Sequence, residues 1–194
     1  MRHPILRLAA IAVSIAGCAI PAAADTVLNF DDLQGSDLVG TYHGVVFDQG
    51  WSYYDAPQAP YTPASGATRI YVVEPPGQAA FTFAAPVTFK GAFFSGGYDE
   101  TVSFRLFLGG VLQHTSAVLI PSSTPVFLAA GYSGPIDEVR VTHTYNSQAG
   151  FFVMDDVTFA AATQVPEPSA VLSFAGVAAL LVYGARRRSS LMMM

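Results

Sequence analysis

The stretch from Thr101 to Leu119 reads TVSFRLFLGGVLQHTSAVL, and it decides the fold class. In its first eight residues Val102, Phe104, Leu106 and Leu108 alternate with Thr101, Ser103, Arg105 and Phe107. A repeat of two is that of a strand, whose successive side chains point to opposite faces. Gly109-Gly110 then supplies two residues free to take positive φ, as a two-residue hairpin turn requires. Val111 to Leu119 is the expected return strand.

The same pattern continues on both sides. Towards the N-terminus, strands are expected at Val27–Asp31, Tyr42–Asp48, Arg69–Val73, Ala79–Phe83 and Val87–Phe94. Pro75-Pro76-Gly77 ends the third of these. Pro86 cannot donate to a ladder, so it marks a strand break or a crossing between sheets. Towards the C-terminus, Pro125–Ala129, Ile136–Thr144 and Gly150–Phe159 complete about ten strands. In the last, alternation puts Val153, Asp155, Val157 and Phe159 on one face and Phe152, Met154, Asp156 and Thr158 on the other. No helical period is sustained in this region, and no internal repeat argues for a propeller or solenoid. The expected fold is all-β: a jelly-roll-like β-sandwich rather than a closed barrel.

Both ends of the chain read differently. Residues 1–24 have the layout of a secretory signal peptide, with a helical apolar core. Arg2 and Arg7 give a basic start, Leu8 to Ile20 is apolar, and Ala22-Ala23-Ala24 forms an A-x-A site for signal peptidase, leaving Asp25 first. Ile15-Ala16-Gly17-Cys18 is an alternative lipobox, with Cys18 acylated. At the other end, Val165-Pro166-Glu167-Pro168 is extended and cannot continue a strand or helix. Ser169 to Ala185 carries no charge and as a helix would reach about 25 Å, nearly a hydrocarbon core. Arg186, Arg187 and Arg188 would hold the C-terminus in the cytoplasm.

Between these ends, residues 25–164 form one domain's worth of chain. Arg69, Lys90, Arg105 and Arg140 face thirteen acidic residues there, a formal net charge of −9 against −5 for the whole chain. A nucleic-acid binder needs the opposite sign, so that class is disfavoured, while neutral glycans and cations fit as partners. The single cysteine, Cys18, lies in the leader. No disulfide can therefore form within the domain, which must rely on packing or a metal.

Two carboxylate pairs stand out. Asp31-Asp32 closes the first expected strand, and Asp155-Asp156 lies inside the last. Each aspartate of the last strand shares a face with apolar neighbours, where a bare carboxylate is costly. A structural calcium ion would compensate, since it takes six to eight oxygen ligands. Hydrogen bonds from backbone amides, turn hydroxyls or Arg140 would serve equally. Trp51, Tyr53, Tyr54 and Tyr61 occupy a stretch rich in proline and glycine, interleaved with Asp48, Gln49 and Asp55. Such rings could stack on sugar faces while the polar groups bind hydroxyls. The alternative is that they cap the core.

Catalysis finds little footing. His43, His114 and His143 are isolated, no thiol remains, and Gly131-Tyr132-Ser133-Gly134-Pro135 lacks the nucleophile-elbow pattern. Asp99-Glu100 and Asp137-Glu138 are carboxylate pairs, but nothing in the sequence sets them in the opposed geometry of glycoside hydrolysis, and a solvated turn after Gly96-Gly97 accounts for Asp99-Glu100. The domain is expected not to be an enzyme, a polysaccharide-active enzyme or a ligand-free structural protein being the alternatives.

The C-terminal segment resembles the PEP-CTERM sorting signal of exported bacterial proteins, through Val165-Pro166-Glu167-Pro168, the apolar span and Arg186 to Arg188. That resemblance implies processing near the Pro-Glu-Pro by a membrane enzyme of the exosortase class, in a host that makes exopolysaccharide. Residues 165–188 would be the signal, including a single transmembrane helix, and 189–194 a cytoplasmic tail. The precursor would sit in the inner membrane before passing to the envelope, surface or extracellular matrix. Within the domain, Asn29-Phe30-Asp31-Asp32-Leu33, Tyr42 to Phe47, Gly134 to Val139 and Phe152 to Phe159 resemble the strand pattern of galactose-binding-like jelly rolls, a fold shared by many carbohydrate-binding modules. This second resemblance implies Asp155 or Asp156 as calcium ligands with Asp31 or Asp32 opposite. Together the two imply a non-catalytic module that associates with exopolysaccharide.

Overall fold

A computed structural model describes residues 24–48, 50–72, 78–97, 100–144 and 152–162. The leader through Ala23, with Cys18 and Ala22 of the two processing readings, lies outside the described residues. So does the sorting segment from Val165 to Arg188. Ala24 is exposed, and Asp25 opens the first strand. Among the described residues there is no helix, and hence none long and apolar enough to cross a membrane.

The all-β expectation holds. Twelve strands form one continuous antiparallel hydrogen-bonded network: β1 (Asp25–Leu28), β2 (Ser36–Leu38), β3 (Thr41–Tyr42), β4 (Val45–Phe47), β5 (Trp51–Tyr54), β6 (Arg69–Val72), β7 (Gln78–Gly96), β8 (Thr101–Leu108), β9 (Val111–Thr115), β10 (Val126–Ala129), β11 (Ile136–Thr144) and β12 (Phe152–Ala161). The 19-residue β7 is the pivot. Up to Phe83 it lies between β4 and β11; from Val87 its neighbours include β12 and β10. Pro86, with no N–H to donate, stands where the partners change, so the strand crosses between layers there.

One layer runs β2–β5–β6–β12–β7–β10, with β1 beside the second half of β12. The other runs β4–β7–β11–β8–β9. Their inner faces meet through aromatic rings: Phe89 and Phe94 against Phe104 at 5.0 and 5.5 Å, and Trp51 against Phe81 at 6.4 Å. Edge-to-face geometry dominates, the arrangement that ring quadrupoles favour.

Several strands differ from expectation. The span Tyr42–Asp48 is two strands joined at His43-Gly44, whose φ values of 47° and 81° make a tight hairpin turn. The aromatic stretch beginning at Trp51 contains a strand, β5, and the short β2 pairs with it. The return strand of the Gly109-Gly110 hairpin stops at Thr115, with only an isolated bridge from Leu119 to Val102. The alternation in β12 changes phase. Asp156 takes φ of 50° and the register slips between Asp155 and Thr158, so Val157 joins Met154 in the core instead of sharing the face of Asp155. Aspartate tolerates the left-handed region better than most residues, which lets a bulge form there.

Candidate functional site

The outer face of the first layer is assembled from cross-strand pairs. Ser36 lies opposite Tyr54, Tyr54 opposite Arg69, Ser52 opposite Tyr71, and Tyr71 opposite Val153. Side chains on the other face of β5 and β6, among them Trp51, Ile70 and Val72, go into the core. Tyr54 and Tyr71 are therefore diagonal neighbours, and their rings meet edge to face at 5.3 Å.

The connection from Asp55 to Thr68 folds back over this face and is fastened at four places. The Arg69 guanidinium donates to the Ala56 carbonyl at 2.6 Å, and Ser95 Oγ donates to the Thr62 carbonyl at 2.6 Å. Asp155 Oδ2 accepts from the amides of Ala64 (2.8 Å) and Ser65 (3.0 Å). Asp31 Oδ1 accepts from the amides of Ala67 (3.0 Å) and Thr68 (3.4 Å). Gly66 sits between these last two anchors at φ 48°, and a Cβ there would lie 1.8 Å from Asp31 Oδ1, so only glycine fits.

Between loop and sheet is a cleft of about 480 Å³, walled by Tyr54, Tyr61 and Tyr71 with Ser36, Gln58 and Val153. Val72 and Phe152, both part of the core, complete the described lining. The described lining combines flat aromatic surface with hydroxyl and amide groups, and among the described residues no charged side chain belongs to it. Beneath the Tyr54 ring lies Arg69, 1% exposed, with its guanidinium carbon 3.6 Å from the ring centre. Burial raises the Tyr54 hydroxyl pKa, with the Arg69 charge pulling the other way.

The four aromatic residues expected to bind glycan are thus divided. Tyr54 and Tyr61 line the cleft. Trp51 is fully buried, donating Nε1–H to the Ala80 carbonyl at 3.1 Å, and Tyr53 packs half-buried against the core. Tyr71, Gln58 and Ser36 were missed. The missing signal was β5 itself, because only a strand at Trp51–Tyr54 places Tyr54 diagonally from Tyr71.

The four aspartates expected at a metal do converge in part, since Asp31 and Asp155 grip the same turn from opposite ends of the chain. Asp156 accepts from Ser65 Oγ at 2.8 Å, and Asp32 accepts from the Tyr42 hydroxyl. That bond is the main reason the Asp32 pKa lies below its ordinary value. N–H and O–H donors point at these oxygens, the polarity that a cation would have to displace. Among the described residues no group of three or more His, Cys, Asp or Glu side chains is placed to hold a metal. The described donors are those of the hydrogen-bonded alternative.

Burial raises the Asp155 pKa to about 7 against the pull of its amide donors. Glu100 is also raised to about 7 by burial, opposed by the Gly97 amide; at 0% exposed it is buried, and not on the solvated turn expected for it. Among the described residues no carboxylate lines the aromatic cleft.

The arrangement defines a β-sandwich module with an aromatic-walled surface cleft. No family model and no curated protein matches the chain. Similar solved structures include a mutant of CBM29-2, a family 29 carbohydrate binding module, at 15% identity and TM-score 0.41, covering 75% of this chain and 98% of that one. The CBM22-1 xylan-binding domain of Paenibacillus barcinonensis Xyn10C is similar at 10% identity and TM-score 0.42, covering 76% and 100%. TmCBM61, solved with beta-1,4-galactotriose, is similar at 13% identity and TM-score 0.36, covering 60% and 86%. At this level the ligands of those modules say nothing of this chain, whose own residues must.

Proposed function

We propose that this chain is an exported, non-catalytic surface or matrix module that associates with polysaccharide through the Tyr54–Tyr61–Tyr71 cleft. One observation carries the reading: three tyrosines line a cavity of about 480 Å³ together with Gln58 and Ser36. Sugar rings present C–H faces that stack on aromatics and hydroxyls that seek just such polar edges. An uncharged lining suits neutral sugars. Delivery by the secretory route, processing by signal peptidase, and sorting by an exosortase-type enzyme at Val165 to Pro168 are the accompanying proposal. They rest on the sequence resemblance.

The test is retention on a panel of insoluble and soluble polysaccharides. Tyr54→Ala with Tyr71→Ala is expected to reduce retention at least tenfold with the β-sheet spectrum unchanged. Retention equal to the parent protein would remove the cleft from consideration. Intact-mass analysis of the protein from cells reads the two processing events: masses lacking both ends support the sorting proposal, and an uncut chain refutes it.

A further inference from the structure

A second cleft, of about 590 Å³, opens beside the first. It is lined by Gly96 and Gly97 at the end of β7, by Pro121, Ser122 and Ser123 of the connection between β9 and β10, and by Ala59 and Pro60 of the covering loop. The two clefts share one crest of that loop. Gln58 and Tyr61 line the first, and the two residues between them line the second. The Tyr61 amide donates to the Gln58 carbonyl at 2.8 Å and the Thr62 amide to the Pro60 carbonyl at 3.0 Å, folding the crest into a tight turn.

Strand register sets the clefts side by side. Tyr71 of β6 lies opposite Val153 of β12, and Val153 opposite Ser95 of β7, the neighbour of Gly96. Tyr71 and Val153 line the first cleft and Gly96 the second. The step from β6 across β12 to β7 is two strand spacings, about 10 Å. Ser95 Oγ fastens the crest over this part of the sheet through the Thr62 carbonyl. Gly97 lets the crest come close, since a Cβ there would stand 3.0 Å from Pro60 Cγ. The connection between β9 and β10 is anchored in turn by the Gly96 amide, which donates to the Ser122 carbonyl at 2.9 Å.

Both clefts offer similar chemistry. Among the described residues no charged side chain belongs to either lining. The second sets the apolar rings of Pro60 and Pro121 beside the exposed serines Ser122 and Ser123. Apolar faces next to hydroxyls suit an uncharged, hydroxyl-rich ligand. We propose, resting on the first cleft as a sugar site, that the second cleft holds the continuation of the same neutral polysaccharide chain. The chain straddles the Gln58–Tyr61 crest, and the module recognises a run of sugars too long for either cleft alone, not a single sugar.

The experiment titrates the full chain, in a mild detergent without a sugar headgroup, with soluble neutral oligosaccharides of graded length from glucan, xylan, mannan and galactan backbones. Affinity, read by calorimetry, is expected to rise at least about tenfold once the oligosaccharide can span both clefts, because the second contact then forms within one complex. Ser123→Leu fills the second cleft and lies outside the lining of the first. It is expected to keep the parent's affinity for short oligosaccharides and to lose the gain for long ones. The Gly97 amide resonance of the parent should move with long oligosaccharides only, a readout independent of any variant. Affinity that does not change with length, or a gain that survives in Ser123→Leu, overturns the second cleft and leaves the first standing as a sugar site. Binding that Tyr54→Ala with Tyr71→Ala does not weaken, or no binding at any length, overturns the first cleft and the second with it.

Discussion

The Arg69 guanidinium lies 3.6 Å from the centre of the Tyr54 ring and reaches past it to the carbonyls of Ala67 and Ala56. No carboxylate pairs with it among the described residues. A buried cation is thus balanced by two peptide dipoles and a π face, and it ties the cleft wall to the loop above it. Arg69→Met is expected to cost about 2–4 kcal/mol in urea denaturation, because charge-assisted bonds are lost from a buried site. Arg69→Lys should recover only part of this, since an ammonium cannot span both carbonyls. A Met variant as stable as the parent would refute this account.

The Tyr54 hydroxyl is buried and has no hydrogen-bond partner among the described residues. Tyr54→Phe should therefore leave folding stability within about 0.5 kcal/mol of the parent, or raise it. A large loss would reveal a bond that this geometry does not contain.

Trp51 and the cleft can be separated. Trp51→Phe is expected to lower the melting temperature while leaving polysaccharide retention intact, and Trp51→Ala to cost about 3–5 kcal/mol. Loss of retention in a folded Trp51→Phe protein would contradict the placement of this ring in the core.

Glu100 and Asp155 set an unusual pH dependence. Both carboxyls have folded pKa values raised to about 7 by burial. A raised value means that the folded state holds the proton more tightly than the unfolded chain. The resulting stability is fully present below the unfolded carboxylate range and is lost as pH rises through about 7, at up to roughly 1.4 kcal/mol per pH unit for each group. Melting temperature should therefore climb as pH falls from 8 towards 5, and Glu100→Gln should flatten the climb. A profile that falls throughout that interval would refute the assignment.

Asp31 and Asp155 already hold backbone amides. Melting in millimolar calcium is accordingly expected to match melting in chelator, whereas specific binding to the folded state would raise it. Gly66→Ala is the complementary probe. It drives a methyl into the Asp31 carboxylate and should cost at least about 2 kcal/mol. It should also weaken polysaccharide retention, because Gln58 and Tyr61 ride on the same loop.

What the sequence disclosed follows from how local each signal is. Thr101–Leu108 and Ile136–Thr144 match their expected bounds, because alternation runs through most of each strand despite one register slip in each, at Leu106/Phe107 and at Ile136/Glu138. Pro86 correctly marked the crossing in β7. The failures are positions where one residue resets the pattern. His43 and Asp156 take positive φ outside glycine, and each turns an apparently continuous run into something else. Trp51–Tyr54 hid a strand because all four residues are at least half-buried, one face by the core and the other by the returning loop. That covering loop is held by contacts thirty to ninety residues apart in sequence, such as Ser95 to Thr62 and Asp155 to Ala64. No local pattern announces them.

The pairing of β1 with β12 sets Asp25 beside Ala160, so the domain's two ends leave from one corner. Tension applied through both would open that seam like a zip, parting bonds singly instead of loading them together. A pull on β12 alone, by contrast, would meet a strand held by β7 on one side and by β6 and β1 on the other.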